Sequence, residues 1–300
     1  MPDAHDPRAA VAQKRLGTVL KEKWRLDELL GVGGMAAVYA ATHRNGKRVA
    51  VKMLHKEYAA DAEVKARFLR EGYLVNRVEH PGVVGVLDDD GSDGAAFLVM
   101  ELLEGESLEQ RRQRKGGKLP ATEVLSVADQ VLDVLAAAHA VEMVHRDLKP
   151  ENLFLCKDGS VKLLDFGIAR LRELSARLGA TQSGGTTMGT PAFMPHEQAR
   201  GNWESVDART DIWALGATLF TLLTGQIVHD APSVTDLLMC AMTKQPAPLA
   251  TRLPGAPESL SLVIDRALRF EQSERWPDAR SMQAEVRRVY NELAGRGRVQ

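Results

Sequence analysis

Four side chains with complementary chemistry lie near one another in the middle of the chain. Asp147, Lys149 and Asn152 belong to the segment His145–Asn152, and Asp165 follows one predicted hairpin later. A carboxylate can orient an attacking hydroxyl, a lysine can neutralise charge on a moving phosphoryl group, and carboxylate and amide oxygens are ligands that Mg²⁺ prefers. A charged, proline-containing surface turn could have this composition by chance, but the second carboxylate downstream makes chance a poor explanation. The pattern predicts phosphoryl transfer with magnesium.

A glycine-rich segment and a lysine upstream could both serve a nucleotide. Gly31 and Gly33 lie between two predicted strands, where the missing Cβ atoms let backbone N–H groups approach phosphate oxygens. Lys52 follows Ala50 and Val51 on an apolar strand, so its ammonium group needs a polar partner. Alone, each signal is weak, because many glycine hairpins bind nothing and many strand lysines simply face water. Together they favour a phosphate site.

The elements that must position these residues change in character along the chain. Short apolar runs joined by turn residues predict strands in the first third, and apolar residues at helical spacing predict one helix there and several later. The predicted strands are Arg25–Leu30, Val38–Thr42, Val49–Leu54, Val83–Leu87 and Ala96–Leu102. The predicted helices are Asp61–Val78, Thr122–Val141, Thr210–Leu223, Val234–Met242, Leu260–Leu268 and Ser281–Leu293.

The glycine-rich segment, Lys52, the segment His145–Asn152 and Asp165 follow one another along the chain as the motifs of a protein kinase do. The chain resembles a protein kinase of the serine/threonine type found in bacteria, over roughly residues 24–291. The resemblance implies an α+β, bilobal protein-kinase fold, with a small β-rich N-lobe that has one helix and a larger, mainly α-helical C-lobe. The N-lobe and hinge would span residues 24–103 and the C-lobe residues 104–291. Composition predicts a loosely ordered tail at residues 1–23, and residues 292–300 would form a C-terminal tail.

The resemblance also implies a role for each site residue. Asp147 would orient the substrate hydroxyl, Lys149 would neutralise the γ-phosphoryl group, and Asn152 and Asp165 would hold Mg²⁺, with Mn²⁺ as a possible substitute. The residues expected to bind ATP are Gly31, Gly33, Val38, Ala50, Lys52, Glu71, Met100, Glu101, Leu103, Phe154 and Asp165. Glu71 would pair with Lys52. The apolar members of this set could equally be core residues.

Two further residues are expected to support the catalytic loop, one within it and one outside it. His145 would pack on Phe166, and Asp211 would anchor the loop backbone. Lys149 is typical of serine/threonine kinases, whereas tyrosine kinases usually carry a variant of this loop. The resemblance therefore implies protein substrates with serine or threonine hydroxyls.

The chain departs from the family pattern in two places. Ala36 stands where the family has a third glycine, and Pro195-His196-Glu197 replaces the usual Ala-Pro-Glu. Glu197 is retained, and Arg275 is its expected buried partner. The second change puts the local loop shape, and so the peptide specificity, in doubt.

The segment Asp165–Glu197 resembles an activation segment with several hydroxyl residues. The resemblance implies autophosphorylation at Thr186 or Thr187, with the alternative sites Thr181 and Ser183. A phosphate there would pair with Arg146, and a transient homodimer could carry out the reaction. These hydroxyl groups could also simply keep the segment soluble.

Bulk properties limit the function classes. The net charge of −1 gives no electrostatic reason to expect nucleic acid or a membrane surface as a partner. Two distant cysteines favour a reducing compartment, and no apolar run is long enough to span a bilayer, so a cytoplasmic protein is expected. The basic cluster Arg111–Lys115 is interpreted as a solvated helix end.

Two other functions compete with an active protein kinase. A pseudokinase would keep the fold without turnover, and Ala36 with the Pro195-His196 change points weakly that way. However, Lys52, Asp147 and Asp165 are all present. A small-molecule kinase is disfavoured by the complete activation segment.

Overall fold

The structure is a computed structural model that describes residues 7–91, 95–166 and 191–296. Its residues form two compact units. The first contains residues of Met1–Arg77 and Val84–Glu104, and the second contains residues of Val78–Val83, Gly105–Ala169 and Thr187–Gln300. Within the described ranges, no helix has the length and apolar character needed to cross a membrane.

The first unit is built on a six-stranded antiparallel sheet with the order β1-β2-β3-β4-β6-β5. The strands are β1 (Val19–Leu20), β2 (Trp24–Val32), β3 (Ala36–His43), β4 (Arg48–Leu54), β5 (Val86–Asp90) and β6 (Phe97–Met100). The helices of this unit are α1 (Pro7–Gln13), α2 (Lys56–Ala59) and α3 (Ala62–Val75).

Strand alternation gives the sheet two different faces, because successive side chains point to opposite sides. One face carries a core that includes Leu26, Tyr39 and Val51, and Ala12 of α1 packs against it. The other face includes Leu98, which packs with Phe68 of α3. The sheet therefore lies between α1 and α3.

Three expectations for this unit need correction. Residues 7–23 are not a loose tail, because α1 and β1 form there and the Tyr39 hydroxyl donates to the Ala12 carbonyl oxygen at 3.2 Å. The described residues of this unit consequently include three helices, where one was expected. β5 begins at Val86, since Val83 forms a bridge with Leu163 in the second unit.

The second unit combines a small sheet with many helices. The strands β7 (Gly105–Ser107), β8 (Leu153–Cys156) and β9 (Val161–Leu163) pair in that order, antiparallel. The α-helices are α4 (Leu108–Arg114), α5 (Ala121–Ala140), α6 (His196–Ala199), α7 (Ala208–Thr224), α8 (Val234–Thr243), α9 (Leu249–Arg252), α10 (Glu258–Ala267) and α11 (Ala279–Arg296). The last helix includes residues 292–296, which were expected to be a tail.

Helix α7 is the buried centre of the second unit. It begins with a capping box between Asp207 and Thr210, and it ends at Gly225, whose φ of 76° is left-handed. Its residues from Thr210 to Leu223 are all buried. An α+β chain with a sheet-rich first unit and a mainly helical second unit is thus confirmed.

Candidate active site

Helix α7 fixes the backbone of the catalytic loop through one buried carboxylate. Asp211 accepts hydrogen bonds from the N–H groups of His145 and Arg146, both at 2.8 Å. It also accepts from His139 Nε2 of α5 at 2.9 Å. Burial acts to raise the pKa of Asp211, but the hydrogen bonds from His139 and from the Arg146 N–H outweigh it and leave the pKa below its ordinary value. The predicted anchoring role of Asp211 is confirmed.

Arg146 is held in a conformation that non-glycine residues rarely adopt. Its φ is 70°, in the left-handed region. Its N–H donates to Asp211, and its carbonyl oxygen accepts from Gln198 Nε2 at 2.7 Å. The loop is therefore fixed on both sides of Arg146. Sequence analysis missed Gln198 and His139, because only the fold brings Gln198 to Arg146 and His139 to Asp211.

The three residues predicted to be catalytic lie together. Asn152 Nδ2 donates to the Asp147 carbonyl oxygen at 2.7 Å and to Asp147 Oδ2 at 3.1 Å. Lys149 Nζ lies 3.3 Å from the same Oδ2 atom. Asp147 and Asn152 are both buried. A lysine and an amide thus fix the orientation of the Asp147 carboxylate.

The small sheet brings Asp165 beside this cluster. Leu153 pairs with Leu163, and the Leu164 N–H donates to the Asn152 carbonyl oxygen at 2.9 Å. Asp165, the next residue, has a left-handed φ of 62°.

His145 supports this segment on both sides of Asp165. Its Nε2 atom donates to the Leu164 carbonyl oxygen at 2.9 Å, and its ring lies 4.5 Å from the Phe166 ring, between centroids. The predicted packing of His145 on Phe166 is confirmed. Phe154, half-buried on β8, lies two residues after Asn152.

The oxygen atoms of Asn152 and Asp165 fit a magnesium ion. The Asn152 amide nitrogen is engaged with Asp147, which leaves its carbonyl oxygen as the group able to bind a cation. Among the described side chains, no group of three or more His, Cys, Asp and Glu residues gathers as a metal centre. Magnesium is commonly held by one or two carboxylates together with substrate phosphates. The few protein oxygens that Asn152 and Asp165 offer are therefore of the number and kind that such a site uses.

In the first unit, strand register places four predicted nucleotide residues on one face of the sheet. Val38 is opposite Lys52, and Ala50 is opposite Met100. Directly opposite residues project to the same face, and Ala50 and Lys52 are two apart on β4. Lys52 is only 6% exposed, so its methylene chain is buried while its charge requires a polar partner.

Three further predicted nucleotide residues of this unit lie outside these strands. Glu101 and Leu103 follow β6 in a segment without regular structure. Glu71 belongs to α3, but its side chain lies outside the described part of the structure.

The glycine-rich segment forms the turn between β2 and β3. Gly31 pairs with Val38, and the Gly33 N–H donates to the Ala36 carbonyl oxygen at 2.8 Å. Neither Gly31 nor Gly33 has a positive φ, and a Cβ atom on Gly31 would meet nothing within 4 Å. Local backbone geometry therefore does not require glycine at Gly31. The open space is consistent with a ligand that approaches the backbone closely.

The departure at His196 has a structural explanation. Its ring stacks on Phe270 with centroids 4.2 Å apart and an interplanar angle of 15°. Arg200 lies over the same Phe270 ring at 5.4 Å. Burial lowers the pKa of His196 and outweighs the opposing charge of Glu197, and Arg275 and Arg200 act in the same direction as burial. A stacked imidazole therefore occupies the place of the usual proline.

Glu197 and Arg275 form the predicted buried pair. Arg275 Nη1 lies 2.7 Å from Glu197 Oε1, and Nη2 lies 3.0 Å from Oε2. Thr210 also donates to Glu197 Oε1, at 2.9 Å. The candidate phosphorylation sites Thr181, Ser183, Thr186 and Thr187 lie outside the described residues.

Comparisons with known proteins give the family. Residues 24–286 match the family model described as the protein kinase domain. Serine/threonine-protein kinase Pkn1 of Myxococcus xanthus is 38% identical over 279 residues, which cover 91% of this chain and 38% of that protein. Serine/threonine-protein kinase PknB of Mycobacterium tuberculosis is 34% identical, over 91% of this chain and 44% of that protein.

The solved structures agree with this assignment. The PknI kinase domain of Mycobacterium tuberculosis matches with a TM-score of 0.70 and 27% identity, and the match covers 91% of this chain and 98% of that one. The chain spans only part of the curated relatives but nearly all of this solved domain. The chain belongs to the protein kinase domain family, and it has the protein-kinase fold of the bacterial serine/threonine kinases.

Proposed function

We propose that the chain is an ATP-dependent serine/threonine protein kinase that transfers the γ-phosphoryl group of ATP to protein hydroxyls. The observation that carries this proposal is the cluster in which Lys149 and Asn152 fix the Asp147 carboxylate beside Asp165. The curated relatives are named serine/threonine-protein kinases, which supports the same reaction.

Each residue of the cluster has a different role in an in-line transfer of the phosphoryl group. Asp147 accepts a hydrogen bond from the substrate hydroxyl and takes its proton late, while the new oxygen–phosphorus bond forms and the bond to the leaving ADP breaks. Lys149 neutralises charge on the transferring group. Asn152 and Asp165 would hold Mg²⁺, or Mn²⁺ in its place, and that ion would offset phosphate charge when bound.

We propose that the nucleotide binds to one face of the first unit's sheet. This is the face with the cross-strand pairs Val38–Lys52 and Ala50–Met100. Val38, Ala50 and Met100 offer apolar surface to the adenine ring, while Lys52 offers its ammonium group to the phosphates. The backbone at Glu101 and Leu103 supplies hydrogen bonds to the adenine edge.

We further propose activation by autophosphorylation at Thr186 or Thr187, with Thr181 and Ser183 as alternatives. A phosphate carries about −1.5 to −2 charge and three acceptor oxygens, and it would pair with Arg146. Because Asp211 and Gln198 hold the Arg146 backbone, such a pair would act on the catalytic loop. A transient homodimer would bring one activation segment to another active site.

A transfer assay with two readouts tests the proposal. The purified chain is incubated with magnesium, γ-labelled ATP and a generic basic protein, and the labelled amino acids are identified. We expect phosphoserine and phosphothreonine, no label with an Asp165→Asn variant, and reduced activation with a Thr186→Ala/Thr187→Ala double variant. ATP binding without transfer would identify a pseudokinase, and equal label with Asp165→Asn would contradict the assignment. Full activity of the double variant would refute the proposed phosphorylation sites alone.

A further inference from the structure

Three successive carbonyl groups of the glycine-rich turn bond to groups outside the hairpin. The Gly33 oxygen accepts from His55 Nε2 at 2.8 Å, and the Gly34 oxygen accepts from Arg8 Nη1 at 2.9 Å. The Met35 oxygen accepts from the backbone N–H of His55 at 2.8 Å. A carbonyl can only accept, so His55 carries its proton on Nε2 here.

These contacts fix the direction of the backbone donors in the turn. No described peptide bond is cis, and in a trans peptide the N–H points away from the carbonyl of the same unit. The N–H groups of Gly34, Met35 and Ala36 are therefore directed away from the carbonyl groups that Arg8 and His55 hold. Successive backbone N–H groups on one side of a turn form an anion-binding concavity.

Both supporting residues are themselves held in place. Arg8 belongs to α1, which packs on the sheet through Ala12. Arg8 Nε also lies 3.5 Å from Glu57 of α2, the helix that follows His55 directly. The turn is thus tied to two helices of the same unit.

We propose that Arg8 and His55 are positioning residues that hold the glycine-rich turn ready for the phosphates of ATP. This inference rests on the function proposed above. Without the two side chains, a turn containing Gly33 and Gly34 would sample many conformations, and binding would have to order it at a cost in affinity. Neither residue needs to touch the nucleotide.

Paired binding measurements separate positioning from general stabilisation. Dissociation constants for magnesium–ATP and for adenosine are measured by calorimetry on the full chain with Arg8→Ala, His55→Ala and the exposed control Arg44→Ala. We expect Arg8→Ala and His55→Ala each to weaken ATP binding by about three- to tenfold, the effect of one hydrogen bond, while adenosine binding stays within about twofold. Arg8→Lys retains one donor and should recover part of the loss. Arg44→Ala should bind both ligands like the wild type.

The outcomes distinguish this inference from the proposed function. If the wild type binds ATP and both variants bind it equally well, the positioning role is overturned and the kinase proposal stands. Equal losses for ATP and adenosine would show a structural role only, and would also overturn it. If the wild type does not bind ATP, both proposals fall. Should Arg8→Ala disturb α1, His55→Ala decides the question, because it leaves the contacts of that helix intact.

Discussion

Single residues outside the catalytic loop determine its shape. Asp211 accepts hydrogen bonds from two backbone N–H groups of the loop, and Gln198 donates one to the carbonyl group of Arg146, the residue before Asp147. Holding Arg146 in the left-handed region costs free energy, so the surrounding contacts must maintain it. The geometry of Asp147 therefore depends on residues that take no part in the chemistry.

Gln198→Ala tests this dependence at one hydrogen bond. Loss of the donor to the Arg146 carbonyl should let the loop relax, and we expect kcat to fall about tenfold or more while the KM for ATP stays nearly constant. The free energy of unfolding should fall by only about 1 kcal/mol. Steady-state kinetics and urea unfolding measure the two effects. Gln113→Ala, an exposed change on α4, is the control; an unchanged kcat would show that Gln198 contributes to stability alone.

At the scale of elements, buried and surface ion pairs join segments that are distant in sequence. Arg275 bonds to Glu197 of α6 and also donates to the carbonyl oxygens of Arg209, Arg269 and Phe270. One guanidinium group thus joins α6 to the start of α7 and to the segment after α10. It is 1% exposed, so its charge has no access to water.

Arg275→Met should be strongly destabilising, because it leaves the Glu197 carboxylate buried without its cation. We expect a loss of about 3–5 kcal/mol in the free energy of unfolding, measured with urea. The double variant Arg275→Met/Glu197→Gln should recover part of the loss, since no unpaired charge remains. Arg269→Met, exposed and nearby, should have little effect. A single variant as stable as wild type would mean that this pair does not hold the segments together.

The surface ion pairs around α4 predict that the free energy of unfolding depends on pH. Hydrogen bonds from Arg114 and Arg111 lower the pKa of Glu106 from 4.5 to about 2, against a smaller opposing effect of burial. A lowered pKa in the folded state means that the stabilisation is present above pH 4.5 and is lost as the pH falls toward 2. Glu106→Gln should therefore cost up to about 1 kcal/mol at pH 7, and less in high salt.

Unfolding of Glu106→Gln by urea at several pH values would measure this effect. The difference from wild type should shrink steadily below pH 4.5, while Glu204→Gln, an exposed control, should show no such trend. A difference that stays constant with pH would contradict the role of ionised Glu106.

The basic cluster Arg111–Lys115, interpreted from sequence as solvated, is in fact paired with Glu106, Glu109 and Glu123.

For the whole molecule, sequence patterns predicted the class of fold and most elements. Helix α7 was expected at Thr210–Leu223 and spans Ala208–Thr224, because its apolar run is long and has clear end signals. Helix α1 was not expected, since seven residues are too few to form a stable helix alone, and this helix is stabilised by packing on the sheet. β5 was misplaced because Val83 pairs within the other unit.

The part of the candidate site that is local in sequence was predicted, and the part that depends on distant contacts was not. Asp147, Lys149 and Asn152 are close in sequence, so their residue types alone indicated their chemistry. Gln198 bonds to Arg146 of the loop across 52 residues, and His139 bonds to the supporting Asp211 across 72 residues; no local pattern signals such contacts. Knowledge of the fold was needed to find them.

In the proposed reaction, Asp147 promotes transfer of the γ-phosphoryl group to a protein hydroxyl. The most direct test compares the full chain with its Asp147→Asn variant, measuring both the transfer rate from magnesium–ATP to a protein acceptor and the dissociation constant for ATP. We expect a rate about 10²- to 10⁴-fold lower in the variant with ATP affinity nearly unchanged. Equal transfer rates for the two proteins would contradict it.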